Sequence, residues 1–128
     1  MHCLLDTYAW IELLRGTAQG SVVRKLIKNK KNSIVLLDAS FAELYSWTVR
    51  EGHDVTQVFP AIRSLANVIE TDPNLWVLAA HRKEEQRAKR PGFGLVDGLV
   101  LAAAEFTHAT IVTGDPHFKE IKGVVFLG

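Results

Sequence analysis

The chain has 128 residues, the length of one domain, which excludes a separate regulatory or substrate-binding module. With 48% hydrophobic and 23% charged residues it has the composition of a globular chain that buries one continuous core, not of a disordered one. Fifteen Lys and Arg against fourteen Asp and Glu leave a net charge of +1, so no global field selects nucleic acid or membrane, and such contacts must come from local clustering.

The apolar run Cys3-Leu4-Leu5 ends in Asp6-Thr7, and Trp10, Leu13 and Leu14 follow at helical spacing up to Gly16, so a buried strand hands over to a helix. Cys3 is the only cysteine and lies in this apolar segment, which fits a free buried thiol in a reducing, intracellular setting. Met1 to Leu5 lacks the basic start and long apolar stretch of a secretion signal, and no apolar run reaches the roughly 18 to 20 residues of a membrane span. The expected location is the cytoplasm.

From Ser21, Val22, Val23, Leu26 and Ile27 recur with the helical period opposite a basic edge, and Ser33–Leu37 reads as a short buried strand. Phe41, Leu44, Tyr45 and Trp47 mark a helix from Ser40 to Arg50, ended by Gly52. Asp54 with Gln57 resembles a capping box for a helix to about Ala66, and Val68-Ile69 makes a third strand. Asp72-Pro73 opens a long helix ending near Lys89, followed by a loop over Arg90–Gly94. Val96–Phe106 is a helix packed on most of its surface, Thr110–Thr113 a fourth strand and Val124–Leu127 a fifth. Strands alternating with helices over residues 1–128 predict a single α/β domain, a three-layer α/β/α sandwich on a mainly parallel sheet of about five strands.

In such a sheet the functional crevice lies at the carboxyl ends of the strands. Asp6 closes the first strand, Glu43 stands one turn into the helix after the second, and Asp115 follows the fourth. Asp97 is in the first turn of the helix preceding that strand. Each acid also has an ordinary role: Asp6 or Thr7 as a helix cap, Ser40 to Glu43 as a capping box, Asp97 against a helix dipole, Asp115 in a tight turn before Pro116. Four carboxylates gathered at one edge, however, repel one another unless a divalent cation neutralises them, and hard oxygen ligands favour Mg²⁺ or Mn²⁺.

The segments Leu4-Leu5-Asp6-Thr7, Glu43-Leu44, Asp97-Gly98-Leu99-Val100-Leu101-Ala102-Ala103-Ala104 and Val112-Thr113-Gly114-Asp115 together resemble the signature of the PIN-domain ribonucleases, and most closely the VapC-type toxins of prokaryotic toxin–antitoxin pairs. The resemblance implies a PIN-like fold and a metal-dependent endoribonuclease. Asp6, Glu43, Asp97 and Asp115 are then the metal-binding quartet, with Thr113 as its supporting hydroxyl. It also implies a homodimer and a small antitoxin that blocks the acidic site. In that scheme one or two Mg²⁺ or Mn²⁺ ions activate water at an RNA phosphodiester. Asp6, Asp97 and Asp115 are direct or water-bridged ligands, and Glu43 either ligates or positions and deprotonates the water. Two positions depart from the family pattern. Tyr8 stands where a small polar residue is common, and His117 stands where some members carry an acid or asparagine; for His117 the expected state is a solvated turn residue, the alternative a hydrogen-bond donor supporting the acids.

Two basic clusters are candidates for RNA phosphates, Arg24–Lys31 and Arg82–Arg90; in the second, Arg82, Lys89 and Arg90 are singled out because it adjoins the loop leading to Asp97. Trp10, Trp47 and Trp76 lie on apolar helix faces and are expected in the core or a dimer interface, not as base-stacking platforms. Trp10, Ile11, Leu14 and the Phe41–Trp47 stripe mark where an antitoxin groove is to be sought. Haloacid-dehalogenase-like phosphatases need a second aspartate where Tyr8 stands, and receiver domains need an acidic pair where Asp6 stands alone. The remaining alternative is a PIN-like module that binds RNA or protein without cleaving it.

Overall fold

A computed structural model describes residues 1–128. Its elements are, in chain order, β1 (His2–Leu5), α1 (Thr7–Arg15), α2 (Ala18–Lys28), β2 (Ser33–Leu37), α3 (Ala39–Arg50), α4 (Val55–Leu65), β3 (Asn67–Ile69), α5 (Pro73–Arg87), α6 (Leu95–Thr107), β4 (Thr110–Thr113), a single-turn 3-10 helix (Pro116–Phe118) and β5 (Val125–Phe126). All strand pairs are parallel, in the order β3-β2-β1-β4-β5, as the alternation of elements predicts.

The sheet is covered on both faces, which is why its strands read as continuous apolar runs. Successive side chains of one strand point to opposite faces. Leu4, Leu37 and Ile111 pack under α5 and α6 with Leu75, Ala79, Leu99 and Ala103. Cys3, Leu5, Leu36 and Val112 pack under the other four helices with Trp10, Val23, Leu44 and Ile62. Trp10 and Trp47 therefore belong to the interior, Trp10 with no exposed surface, and are not part of a surface groove. Trp76 is 37% exposed.

Between α5 and α6 the backbones nearly touch. A Cβ on Gly98 would lie 2.2 Å from the Ala79 carbonyl oxygen, so only glycine fits where the alanine-rich helix crosses its neighbour. Helix starts follow short polar side chains. Asp6 accepts from the Ala9 N–H at 2.9 Å, Thr17 from Gly20 at 3.0 Å and Asp72 from Leu75 at 2.8 Å. Thr17 thus begins α2 three residues before the position that the apolar period alone suggests. The Asp54 side chain accepts from the Thr56 N–H and hydroxyl, and the Gln57 N–H bonds only the Asp54 carbonyl oxygen, so the expected capping box is replaced by a tighter turn. The Ser40–Glu43 capping box is also not formed. Asp38 caps α3 instead, and its second carboxylate oxygen takes the Thr71 N–H and hydroxyl, joining the ends of β2 and β3.

Candidate active site

The chain after β1 turns toward β2, whereas β4 joins the sheet on the other side of β1. The crevice of an open parallel sheet opens where strand order reverses in this way, beyond the carboxyl ends of the two strands. Asp6 follows β1 there, and Thr113 and Asp115 stand at the end of β4. A cleft of about 220 Å³ opens at this point, and Asp6, Glu43, Asp97 and Asp115 all line it.

Asp6 is 8% exposed. One of its carboxylate oxygens takes the Ala9 N–H, and the other accepts a hydrogen bond from the buried Thr113 hydroxyl. Thr113 Oγ1 in turn accepts the Asp115 N–H at 2.9 Å, so one hydroxyl ties the two strand ends together. Burial pushes the Asp6 carboxyl up to about 7; the hydrogen bonds from Thr113 and Ala9 oppose this, and the charges of Asp115 and Glu43 add to it. A carboxylate in that setting calls for a positive neighbour.

Asp97 reaches the cleft because it is the third residue of α6, where its Oδ2 accepts the Gly94 N–H at 2.8 Å. The same oxygen lies 3.0 Å from His117 Nδ1. Asp115 caps the 3-10 turn, accepting the His117 N–H at 2.9 Å, and its Oδ1 is 3.6 Å from His117 Nδ1. One ligand atom each from Asp97, Asp115 and His117 therefore fall within 4.8 Å of one another. Glu43 extends in from α3, and its Oε1 accepts a 2.7 Å hydrogen bond from the Thr7 hydroxyl. Cap and cleft roles are not rivals: Asp6, Asp97 and Asp115 all perform both.

The structure brings the four acids and Thr113 together and adds Thr7, Tyr8, Ser40 and His117, to which the expectation from sequence gave no place in the site. Thr7 orients Glu43 from 36 positions away, a pairing without sequence signal. Tyr8 and Ser40 line the cleft, and the Tyr8 ring lies so close over Gly114 that a Cβ there would come within 2.2 Å of it. His117, expected to be only solvated, is 42% exposed at its side chain and touches two of the acids.

The basic residues are placed elsewhere. Arg82 gives a two-pronged bond to Glu105, with 2.9 Å at both contacts, and a third bond to Glu85. This pairing pulls the Glu105 carboxyl below its ordinary range. Lys89 and Arg90 share a separate recess of about 530 Å³ with Lys122, Glu85 and Glu120. Arg24 and Lys28 border a third recess against Leu13 and Leu65.

Comparison with known proteins gives a match of residues 3–124 to the PIN domain family model. Among solved structures, the chain is similar to one in a toxin–antitoxin complex from Klebsiella pneumoniae, with 21% identity, a TM-score of 0.71 and 98% of each chain covered. It is also similar to VapC20 of Mycobacterium tuberculosis, described as a sarcin-ricin loop cleaving toxin, with 19% identity, a TM-score of 0.75 and 96% of this chain against 97% of that one. A chain of VapBC2 from Rickettsia felis, bound to a DNA fragment from its promoter, matches at 21% identity and a TM-score of 0.71, with 98% of this chain and 97% of that one covered. No curated protein matches by sequence.

Proposed function

The chain belongs to the PIN-domain family, and from that premise we propose that it is a divalent-metal-dependent endoribonuclease, the toxin of a toxin–antitoxin pair. The observation that carries this reading is the convergence of Asp6, Glu43, Asp97 and Asp115, from four separate parts of the chain, on one cleft. The donor set fits a hard cation. Its oxygens are carboxylates, and the buried Asp6, raised to about 7 by burial and by its acidic neighbours, is a group that a nearby cation returns to the ionised form.

Asp97 and Asp115 would hold Mg²⁺ or Mn²⁺ at the mouth of the cleft, with Asp6 behind them. A bound ion of this kind lowers the pKa of a coordinated water and offsets the charge that develops on a phosphodiester. The chain's own groups supply orientation and proton transfer. Thr113 fixes Asp6 relative to Asp115 through its single hydroxyl. Thr7 occupies one oxygen of Glu43, leaving the other to take a proton from the water that attacks phosphorus as the bond to the leaving sugar oxygen breaks. Lys89 and Arg90 contact phosphates along the RNA; Arg82 is already neutralised by Glu105 and Glu85.

A small antitoxin and a second copy of the chain complete the proposed assembly. The antitoxin is supported by the similar chains of the Klebsiella and Rickettsia complexes, the second copy only by the family resemblance. No helix is long and apolar enough to cross a membrane, and action in the cytoplasm is part of the same proposal.

The test incubates labelled total RNA with the purified chain and with Asp6→Asn, each with Mg²⁺ or Mn²⁺ and each with a chelator. Discrete fragments that need both the ion and Asp6 are expected, and Asp97→Asn should abolish them while leaving the fold intact. Absence of cleavage by antitoxin-free wild type would move the reading to a PIN-like module that binds RNA or protein without cutting it.

A further inference from the structure

His117 brings to the cleft a chemistry that carboxylates lack. It stands in the 3-10 turn capped by Asp115, and its Nδ1 lies 3.0 Å from Asp97 Oδ2 and 3.6 Å from Asp115 Oδ1. The ring is held from two other sides. Its Nε2 edge faces the loop before α6, so near that a Cβ on Gly92 would come within 3.0 Å of it. Its ring lies against that of Phe93, with centroids 6.2 Å apart, and Phe93 is fully buried. Nδ1 is therefore the nitrogen turned toward the acids.

Resting on the metal-nuclease reading above, we propose that His117 Nδ1 ligates the divalent cation together with Asp97 and Asp115, and that this nitrogen makes the centre select Mn²⁺ over Mg²⁺. The spacing suits a shared ion. Donors on adjacent corners of an octahedral ion, with bonds of about 2.1 Å, lie about 3.0 Å apart, and the His117–Asp97 separation is 3.0 Å. Mg²⁺ is small and hard, prefers water and carboxylate oxygen, and gives these up reluctantly. First-row transition ions accept imidazole readily, and among them the otherwise all-oxygen donor set suits Mn²⁺. The ligating tautomer carries its proton on Nε2, against the Gly92 loop. The rival role is an Nδ1–H that donates to Asp97 and only orients it. One nitrogen cannot do both at once, since a nitrogen that carries a proton in the ring plane has no lone pair left for an ion.

The experiment loads the full chain, without a histidine tag, with Mn²⁺ alone and records electron spin-echo modulation from nitrogen. An imidazole ¹⁴N signal is expected in wild type and should vanish in His117→Ala and His117→Gln. Mn²⁺ affinity should fall by about tenfold or more in these variants, while Mg²⁺ affinity, measured by competition, changes by less than about threefold. His117→Asp exchanges nitrogen for oxygen and should turn the preference back toward Mg²⁺. The signal is read first on folded wild type, so the result does not depend on how well any variant folds. Mn²⁺ bound without nitrogen modulation, or a modulation that persists in His117→Ala, overturns the assignment and leaves the nuclease reading standing. A wild type that binds Mg²⁺ but not Mn²⁺ overturns this proposal alone; one that binds neither ion, or whose Mn²⁺ affinity is indifferent to Asp97→Asn, overturns that reading and this proposal with it.

Discussion

Asp6 ends β1 with both carboxylate oxygens engaged, one on the Ala9 N–H and one on the Thr113 hydroxyl, yet its carboxyl is raised from 3.8 to about 7 because it is buried. Between those values the folded chain binds more protons than the unfolded one, so without metal its stability falls as pH rises through that window and levels off above 7. The shift corresponds to at most about 4 kcal/mol. Asp6→Asn keeps the cap oxygen and carries no charge. In chelator its urea midpoint should exceed that of wild type at pH 8 and nearly equal it at pH 5, while cleavage is lost. Equal midpoints at both pH values would show that Asp6 is not held uncomfortably. Thr113→Val removes both the donor to Asp6 and the acceptor of the Asp115 N–H. It should cost about 1–3 kcal/mol and lower cleavage roughly tenfold to a hundredfold, with Thr113→Ser restoring most of both in the same assays. The acids were legible in the sequence because each stands at a strand end or in the first turns of a helix. The partners of Glu43 and Asp97 were not, since Thr7 and His117 lie 36 and 20 positions away and meet them only through the fold.

Element by element, all five strands and all six helices were legible, but from different signals: unbroken apolar runs for the strands of a doubly covered sheet, helical spacing for α1, α2 and α3, cap residues for α4 and α5, and an apolar composition for α6. Helix ends were less legible. Ser40 and Glu43 fit a capping pattern, but Asp38 is a better cap one residue before the helix and also anchors Thr71, so α3 begins at Ala39 and Glu43 is released toward the cleft. Close approach between helices leaves no periodic trace at all. Gly98 illustrates this: in an exposed helix, replacing glycine by alanine stabilises by about 1 kcal/mol, but here the new Cβ would meet the Ala79 carbonyl oxygen at 2.2 Å. Gly98→Ala should therefore destabilise by about 1–3 kcal/mol, lowering the melting temperature by several degrees. Because Gly98 follows Asp97, the same substitution should weaken Mn²⁺ binding, measured by calorimetry. A rise in melting temperature would mean that α5 and α6 separate more freely than this contact allows.

At the scale of the whole molecule, strand order concentrates negative charge that the sequence leaves dispersed. A chain with net charge +1 has its four site carboxylates on one cleft because β1 and β4, remote in sequence, are neighbours at the reversal of the sheet. That adjacency was not readable from the chain, although the edge on which the site lies was, since parallel α/β sheets bind ligands at their carboxyl ends. With the proposed cation bound, this concentrated charge ties global stability to the ion. Binding to the folded state alone, at a hundred times the dissociation constant, adds about 2.7 kcal/mol, or about 10 °C for a domain of this size. Mn²⁺ should raise the melting temperature by this order at pH 8, and chelator should reverse the rise. At pH 5 the shift should shrink, because Asp6, with its carboxyl at about 7, is then protonated and the proton competes with the ion. Asp97→Asn should lose most of the shift at either pH. A shift of equal size at pH 5 and pH 8 would place the cation beyond the influence of Asp6, and the four carboxylates would then not act as one site.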